Sequence, residues 1–281
     1  MRKRTVSTPD VKVDDLLIPT NFQRYGVYIK KGLFSPAVVE QIRFKVLRIF
    51  DGIYSTGIQP DKIKLSRKNT GEGYMHSICN GWKSDIWIKN FIVNSGLQVL
   101  TSELTGWQTV KLNQDSMFNV LPGSEGVTAF HQDNAYQNWH TSKGGIITAW
   151  LALSKLKPNS GGIEYLIGSH LMKSDIKRLS GEFIVSKDSP YEELDRRFGD
   201  NWMEKYPLFR PDLEPGDVIF HHGNLWHGSC PNLSSESRVS VSIHLMEGIA
   251  KFSSVDVNPF FNKFKLDESD EMHSSFFPDI S

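Results

Sequence analysis

The chain has 281 residues, long enough for one large β domain or two modest ones, and its 39% hydrophobic share suits an ordinary globular protein with a sizeable core. With 32 Lys and Arg against 32 Asp and Glu, no global field draws it to nucleic acid or to an anionic membrane. Cys79 and Cys230 make neither a disulfide framework nor a CxxC zinc pattern, and no run approaches the ~20 apolar residues of a membrane span. The basic start at Met1 runs into Asp10, Asp14 and Asp15 without the apolar stretch of a signal peptide. A soluble, reduced, cytoplasmic protein acting on a small molecule is expected.

Helix signals come first along the chain. Ser35-Pro36 reads as an N-cap with Pro at the first helical position, after which Val38, Val39, Ile42, Val46, Ile49 and Phe50 recur at helical spacing. Residues 62–81 are polar and Gly-containing, which predicts a loop. A second helix is predicted over 85–104, where Ile86, Phe91, Ile92, Leu97 and Leu100 are apolar and Gly106 is the stop. Strands are then predicted at 109–112, 116–120, 126–132, 146–153, 162–167, 217–221 and 238–245, interrupted by a helical insert over 189–206. Strands at this spacing predict a sandwich or barrel. The tail after Ala250 carries Phe252, Phe260, Phe261, Phe264, Phe276 and Phe277, so it is expected to pack back on the body. One domain over 1–281 is expected, with a β core at about 107–250 and a helical part at about 30–106.

Two constellations carry chemistry. In His131-Gln132-Asp133 the imidazole and carboxylate stand at i and i+2, on one face of a strand. They form two legs of a 2-His-1-carboxylate triad, which leaves positions open on Fe(II); such a triplet also arises by chance at strand ends. About ninety residues on, Gly216-Asp217 opens an apolar run ending in His221-His222, followed by His227-Gly228-Ser229-Cys230-Pro231-Asn232. The strand from Arg238 alternates: Val239, Val241, Ile243 and Leu245 share one face, and Arg238, Ser240, Ser242 and His244 the other. That polar stripe either faces solvent or lines a cavity in which Arg238 meets a carboxylate with its forked donor.

In these markers the sequence resembles the phytanoyl-CoA dioxygenase (PhyH) family. The resemblance runs from about Ser84 to Leu245 and rests on Val110-Lys111-Leu112 with Asp115, Leu121-Pro122-Gly123-Ser124, His131-Gln132-Asp133 and Ile147-Thr148-Ala149-Trp150-Leu151-Ala152-Leu153. It continues through Asn159-Ser160-Gly161-Gly162, Ile167-Gly168-Ser169-His170, Gly216-Asp217, the segment from His227 to Asn232, and Arg238. Val120 and Ile167 depart from the family's usual Lys and Pro.

The resemblance implies a mainly β, double-stranded β-helix (jelly-roll, cupin-like) core buttressed by N-terminal helices. It implies Fe(II) at His131, Asp133 and His227, with 2-oxoglutarate near Gln132, Trp150, Ser229 and Arg238, and O2 as oxidant. Lys111 is the next candidate cation should Arg238 point elsewhere. His227 is expected as the downstream ligand, His222 as a hydrogen-bonding residue behind the ligands, and His221 as structural. The implied reaction is hydroxylation of an unactivated C–H bond with release of succinate and CO2. Related halogenases carry a small residue where Asp133 stands, so the alternatives are desaturation or ring closure by a natural-product tailoring oxygenase, and a metal-binding β-barrel sensor without turnover. No basic cluster suits a CoA phosphate, which favours a free small metabolite. Tyr136 and Trp139 are the preferred candidates for a substrate wall, ahead of Trp202 and Trp226, since aromatics also fill ordinary cores. Gly168-Ser169-His170 is expected to be a turn.

Overall fold

The computed structural model describes residues 11–65, 75–124, 126–137, 140–142, 145–157, 160–172, 184–186, 191–199, 201–253, 260–266 and 269–281. A short helix α1 (Phe22–Tyr25) ends at Gly26, whose φ of +74° lets the chain turn at once into β1 (Val27–Lys30). Helix α2 (Pro36–Phe50) follows with Pro at its start, and its apolar period buries Val39, Ile42, Val46 and Ile49.

The region expected as a loop contains two strands, β2 (Lys62–Lys64) and β3 (Met75–Cys79). β2 is exposed along its length and exists because its backbone pairs with β3, a non-local bond that side-chain pattern does not encode. The single helix expected over 85–104 is two, α3 (Ile86–Val93) and α4 (Leu97–Thr105), parted where Gly96 takes φ +72°. The Asp85 carboxylate caps α3 by accepting from the backbone N–H of Trp87 and Ile88.

The next strands are β4 (Val110–Val120), which joins two predicted strands into one, β5 (Gly126–Thr128), β6 (Ile146–Ala152), β7 (Ile163–Leu166) and β8 (Ile184–Ser186). The insert is two short helices, α5 (Glu192–Phe198) and α6 (Trp202–Lys205); the start expected for it at 189–190 lies outside the described residues. Strands β9 (Leu208–Phe209), β10 (Val218–His222), β11 (His227–Ser229), β12 (Arg238–Glu247) and β13 (Asp279–Ile280) complete the chain.

The large antiparallel sheet has the order β1-β10-β6-β12-β4-β3-β2, with β13 also on β4; β11-β7-β9 and β5-β8 form smaller sheets. The mainly β, jelly-roll expectation holds. Alternation in β12 divides the layers. Val239, Val241, Ile243 and Leu245 pack with Val39, Ile42, Val46, Ile49, Ile88 and Leu97, so the helices cover that face. The opposite face meets the small sheets, where Ile219 and Trp150 pack with Ile163 and Tyr165. The Phe-rich tail does pack back: Phe252, Phe261, Phe264 and Phe277 form a cluster with Ile146 and Met246. No described helix is long and apolar enough to cross a membrane.

Candidate metal centre

His131 and His227 meet across an isolated antiparallel bridge, each N–H donating to the other's carbonyl at 2.9 and 3.0 Å. The bridge sets the two imidazoles side by side, ring centroids 4.2 Å apart. Asp133 is not on a continuous strand with His131: it opens a 3-10 turn, Asp133–Tyr136, whose Asn134 N–H donates to Gly223 O. The Gly223 turn packs tightly there, since a Cβ at 223 would lie 2.3 Å from Asn134 Oδ1. Gln132 grips the same turn, its Nε2 donating to Asn224 O at 2.5 Å, while its Oε1 is buried without a partner among the described residues.

Hydrogen-bond direction fixes the donor atoms. Nδ1 of His131 lies 2.9 Å from Ala129 O, and Nδ1 of His227 3.0 Å from Leu225 O. A carbonyl only accepts, so each neutral ring carries its proton on Nδ1 and its lone pair on Nε2. Those Nε2 atoms face Asp133 Oδ1 at 3.4 and 3.6 Å. The three buried ligand atoms lie within 4.8 Å of one another. Three converging acceptors repel unless a cation sits among them, so the donor set fits a divalent metal with open positions. Burial holds His227 well below the ordinary imidazole range, with His131 beside it, which keeps the ring in its ligating form.

The other carboxylate oxygen is saturated from behind. Asp133 Oδ2 accepts from Thr148 Oγ1 at 2.7 Å and from His221 Nε2 at 3.1 Å, with His244 Nδ1 at 3.6 Å. Tyr165 O–H in turn donates to His221 Nδ1 at 3.1 Å, and His244 Nδ1 lies 2.8 Å from Thr148 Oγ1. Burial by itself would raise the Asp133 pKa. The surrounding His227, His131, His221 and His244 outweigh it and hold the carboxyl well below its usual range.

The assignments of the adjacent histidines are therefore corrected. His221 touches Asp133, whereas His222 stacks near His170 and accepts the Asn224 N–H. Strand parity is the reason: Phe220 packs in the helix-facing core, so Ile219 and His221 face the metal side. Thr148 stood among the family markers and His244 in the polar stripe, but neither sequence position revealed its contact with Asp133. Only the pairing of β6 with β10 and β12, which aligns Thr148 with both His221 and His244, shows it.

Arg238 enters on the same face. Its Nε donates to Gly161 O at 2.9 Å and its Nη1 to Ser240 Oγ at 2.6 Å, with the guanidinium carbon 5.7 Å from the Trp150 ring centre. Gly161 has φ +75°, and a Cβ there would come within 2.9 Å of Asn232 Cβ, so glycine allows this approach. No carboxylate among the described residues pairs with Arg238, and burial draws its pKa down to about 10. An unmatched buried guanidinium calls for an anion. Ser229 Oγ accepts the Thr128 N–H at 2.7 Å and retains its own proton to donate. Lys111, the reserve cation, pairs with Asp279 at 2.8 Å instead. Tyr136 is half-buried with its ring edge-on to His131, centroids 6.1 Å apart. Trp139 lies outside the described residues. Trp202, in α6, and Trp226 are core residues that pack the insert onto the body, and residues 169–171 form the expected turn.

A family model described as phytanoyl-CoA dioxygenase (PhyH) matches residues 22–240. The chain belongs to the phytanoyl-CoA dioxygenase family. Curated relatives include phytanoyl-CoA dioxygenase of Arabidopsis thaliana, 28% identical over 162 residues, covering 57% of this chain and 52% of the relative. Phytanoyl-CoA dioxygenase 1 of Oryza sativa subsp. japonica is 31% identical over 128 residues, covering 45% and 41%. The matches thus span about half the length of these relatives or less. Among solved structures, the non-heme alpha ketoglutarate dependent carbocyclase SnoK from nogalamycin biosynthesis aligns with TM-score 0.73 and 16% identity over 98% of this chain and 99% of its own. The epimerase SnoN in complex with Fe3+, alpha ketoglutarate and nogalamycin RO aligns with TM-score 0.70 and 18% identity over 95% and 98%. EctD from S. alaskensis with 2-oxoglutarate and 5-hydroxyectoine gives TM-score 0.63 and 18% identity over 91% and 86%. At such identities these likenesses establish the fold.

Proposed function

We propose that the protein is an Fe(II)- and 2-oxoglutarate-dependent dioxygenase that hydroxylates an unactivated C–H bond of a free small molecule. One observation carries this. Two imidazole lone pairs and one carboxylate oxygen converge on a point, on the same sheet face as a buried Arg238 that no described carboxylate neutralises. Family membership and the likeness to structures bearing iron and the 2-oxo acid support it.

His131, Asp133 and His227 would hold the iron, and Arg238 the far carboxylate of 2-oxoglutarate, with Ser229 donating beside it and Trp150 walling the chain. When bound, the iron and its cosubstrate supply the oxidising power: one O2 atom enters succinate as CO2 leaves, and the other goes to the substrate. Thr148 and His221 hold Asp133 Oδ2 and so leave Oδ1 for the metal. The carboxylate itself occupies the position a halide would need.

Ring closure or epimerisation on the same site is a second reading, supported by the likeness to SnoK and SnoN. Product mass separates the outcomes: hydroxylation adds one oxygen, ring closure removes two hydrogens, and epimerisation changes nothing. The first test is Fe(II) titration of the anaerobic protein, then succinate assay with 2-oxoglutarate and O2 against a small-metabolite panel. One iron per chain and iron-dependent succinate are expected. Iron binding without any 2-oxoglutarate consumption would leave the sensor reading, and no iron binding would remove both.

A further inference from the structure

The face of the large sheet that bears the metal centre continues past it. His221 of β10, Thr148 of β6, His244 of β12 and Gln114 of β4 stand in one row, and Trp150, Ser242 and Ser116 in the next. Neighbours in such a row have Cβ atoms about 5 Å apart and share contacts. β4 is hydrogen-bonded on both edges, and its alternate residues Asp115 and Met117 are buried. Gln114 and Ser116 remain half-buried on the metal-bearing face.

This surface is polar and unsatisfied. Among the described residues, the side chains of Gln114, Ser116 and Ser242 have no hydrogen-bond partner, nor has Nε2 of His244, and none of them is sealed from solvent. It is also uncharged: between Arg238 and His244 this face of β4, β6 and β12 carries no second ionisable side chain apart from His244 itself. Outward, Cys79 of β3 stands beside Ser116, and beyond it lie the exposed Lys62 and an Asp61 carboxylate paired with Lys83 and Lys263.

Direction can be assigned along the row. The Asp133 carboxylate only accepts, so Thr148 O–H donates to Oδ2, and Thr148 Oγ1 accepts Nδ1–H from His244. With Nδ1 engaged at Thr148, His244 leaves Nε2 for a partner on the side away from Asp133. Gln114, directly opposite, offers an amide donor. A hydroxyl, which both donates and accepts through one atom, can serve Nε2 and the amide of Gln114, its neighbour across β12 and β4.

We propose that the primary substrate is an uncharged molecule with a free hydroxyl, held by His244 Nε2 and the Gln114 amide, with Ser116 and Ser242 meeting further oxygens beside it. The substrate class is a neutral polyol, glycoside or hydroxylated ring rather than a zwitterion or an acyl-CoA. This rests on the oxygenase reading above.

The test uses the full chain with Fe(II) and 2-oxoglutarate, and a panel of methyl glycosides and alicyclic diols, each paired with its O-methyl ether, beside amino acids and acyl-CoA thioesters. Neutral hydroxylated compounds should stimulate succinate release, and methylation should raise KM by about 10- to 100-fold by removing the hydroxyl's hydrogen bonding to this pair. In Gln114→Leu and His244→Phe most of that factor should vanish, which a merely structural role would not produce. Anaerobic calorimetry with Mn(II) in place of Fe(II) should show the same loss without turnover. Stimulation confined to amino acids or acyl-CoA, equal affinity for alcohol and ether, or no stimulation by any hydroxylated compound overturns the proposal. Absence of 2-oxoglutarate-dependent succinate even without added substrate overturns the oxygenase reading itself, and this inference with it.

Discussion

Replacing Arg238 with methionine should strip the protein of its cosubstrate while leaving the unliganded fold about as stable. The guanidinium is buried, and its pKa is drawn down to about 10 by loss of water. A folded value below the unfolded one means that the unfolded chain holds this proton more tightly. The penalty is therefore present at neutral pH and is relieved only as pH rises through about 10. It amounts to about 3 kcal/mol at neutral pH. The methionine side chain would escape it but forfeit the charge-assisted hydrogen bonds to Gly161 O and Ser240 Oγ, worth about 1.5 kcal/mol or more each. The two effects roughly cancel, so the unliganded variant should melt within a few degrees of the wild type. Ligand response does change. At a hundred times its Kd, 2-oxoglutarate should stabilise the wild type by about 2.7 kcal/mol, roughly 5 °C. Breaking a buried ion pair costs about 3–5 kcal/mol, more than 100-fold in affinity, so the same concentration should stabilise Arg238→Met by less than about 0.4 kcal/mol. Thermal melts of the Mn(II)-loaded protein with and without 2-oxoglutarate measure both quantities. A variant whose melting point still rises by the wild-type increment, or whose unliganded form loses more than a few kcal/mol, refutes this account.

Asp133→Ala should abolish metal binding in an anaerobic Fe(II) titration while circular dichroism stays native, because no neighbouring group can replace the anionic ligand. Thr148→Val should weaken metal affinity by about 10- to 100-fold, as expected for a residue that orients a ligand, and equal affinity would show that the Oδ2 contact is idle. His221→Phe should lower metal affinity far more than His222→Ala, and the reverse ranking by calorimetry would contradict the parity of β10. Acid should destabilise the metal-free protein early. Burial holds His140 and His244 at about 4, so the unfolded chain takes up protons first, and stability should fall as pH drops from about 6.5 towards 4. His140→Phe should flatten part of that limb in urea melts at stepped pH.

The Asp133 carboxylate is held by buried contacts on one side and open to the two imidazoles on the other. One oxygen faces the imidazoles, and the other is tied to Thr148 and His221, which themselves rest on His244 and Tyr165. A carboxylate so tied would offer a bound metal one oxygen and leave room for other ligands.

Local pattern by itself determined much of this protein. The helical period of 36–50, the alternation of 238–245 and the order of motifs from His131 to Arg238 were legible because each depends on neighbours a few residues away. The break at Gly96 was within reach, since a glycine after Asn94-Ser95 inside a predicted helix is a stop signal. What the sequence could not settle was parity and pairing. His221 and His222 differ by one position in a strand apolar on both faces, so no pattern says which turns inward. Strands β2, β11 and β13 have two or three residues and owe their existence to pairing, β2 with the next strand and β11 and β13 with partners far along the chain. The row of His221, Thr148, His244 and Gln114 likewise exists only once β10, β6, β12 and β4 lie side by side. Register between strands is fixed by the whole core closing at once, and the residues that share a row then become neighbours whatever their separation in sequence.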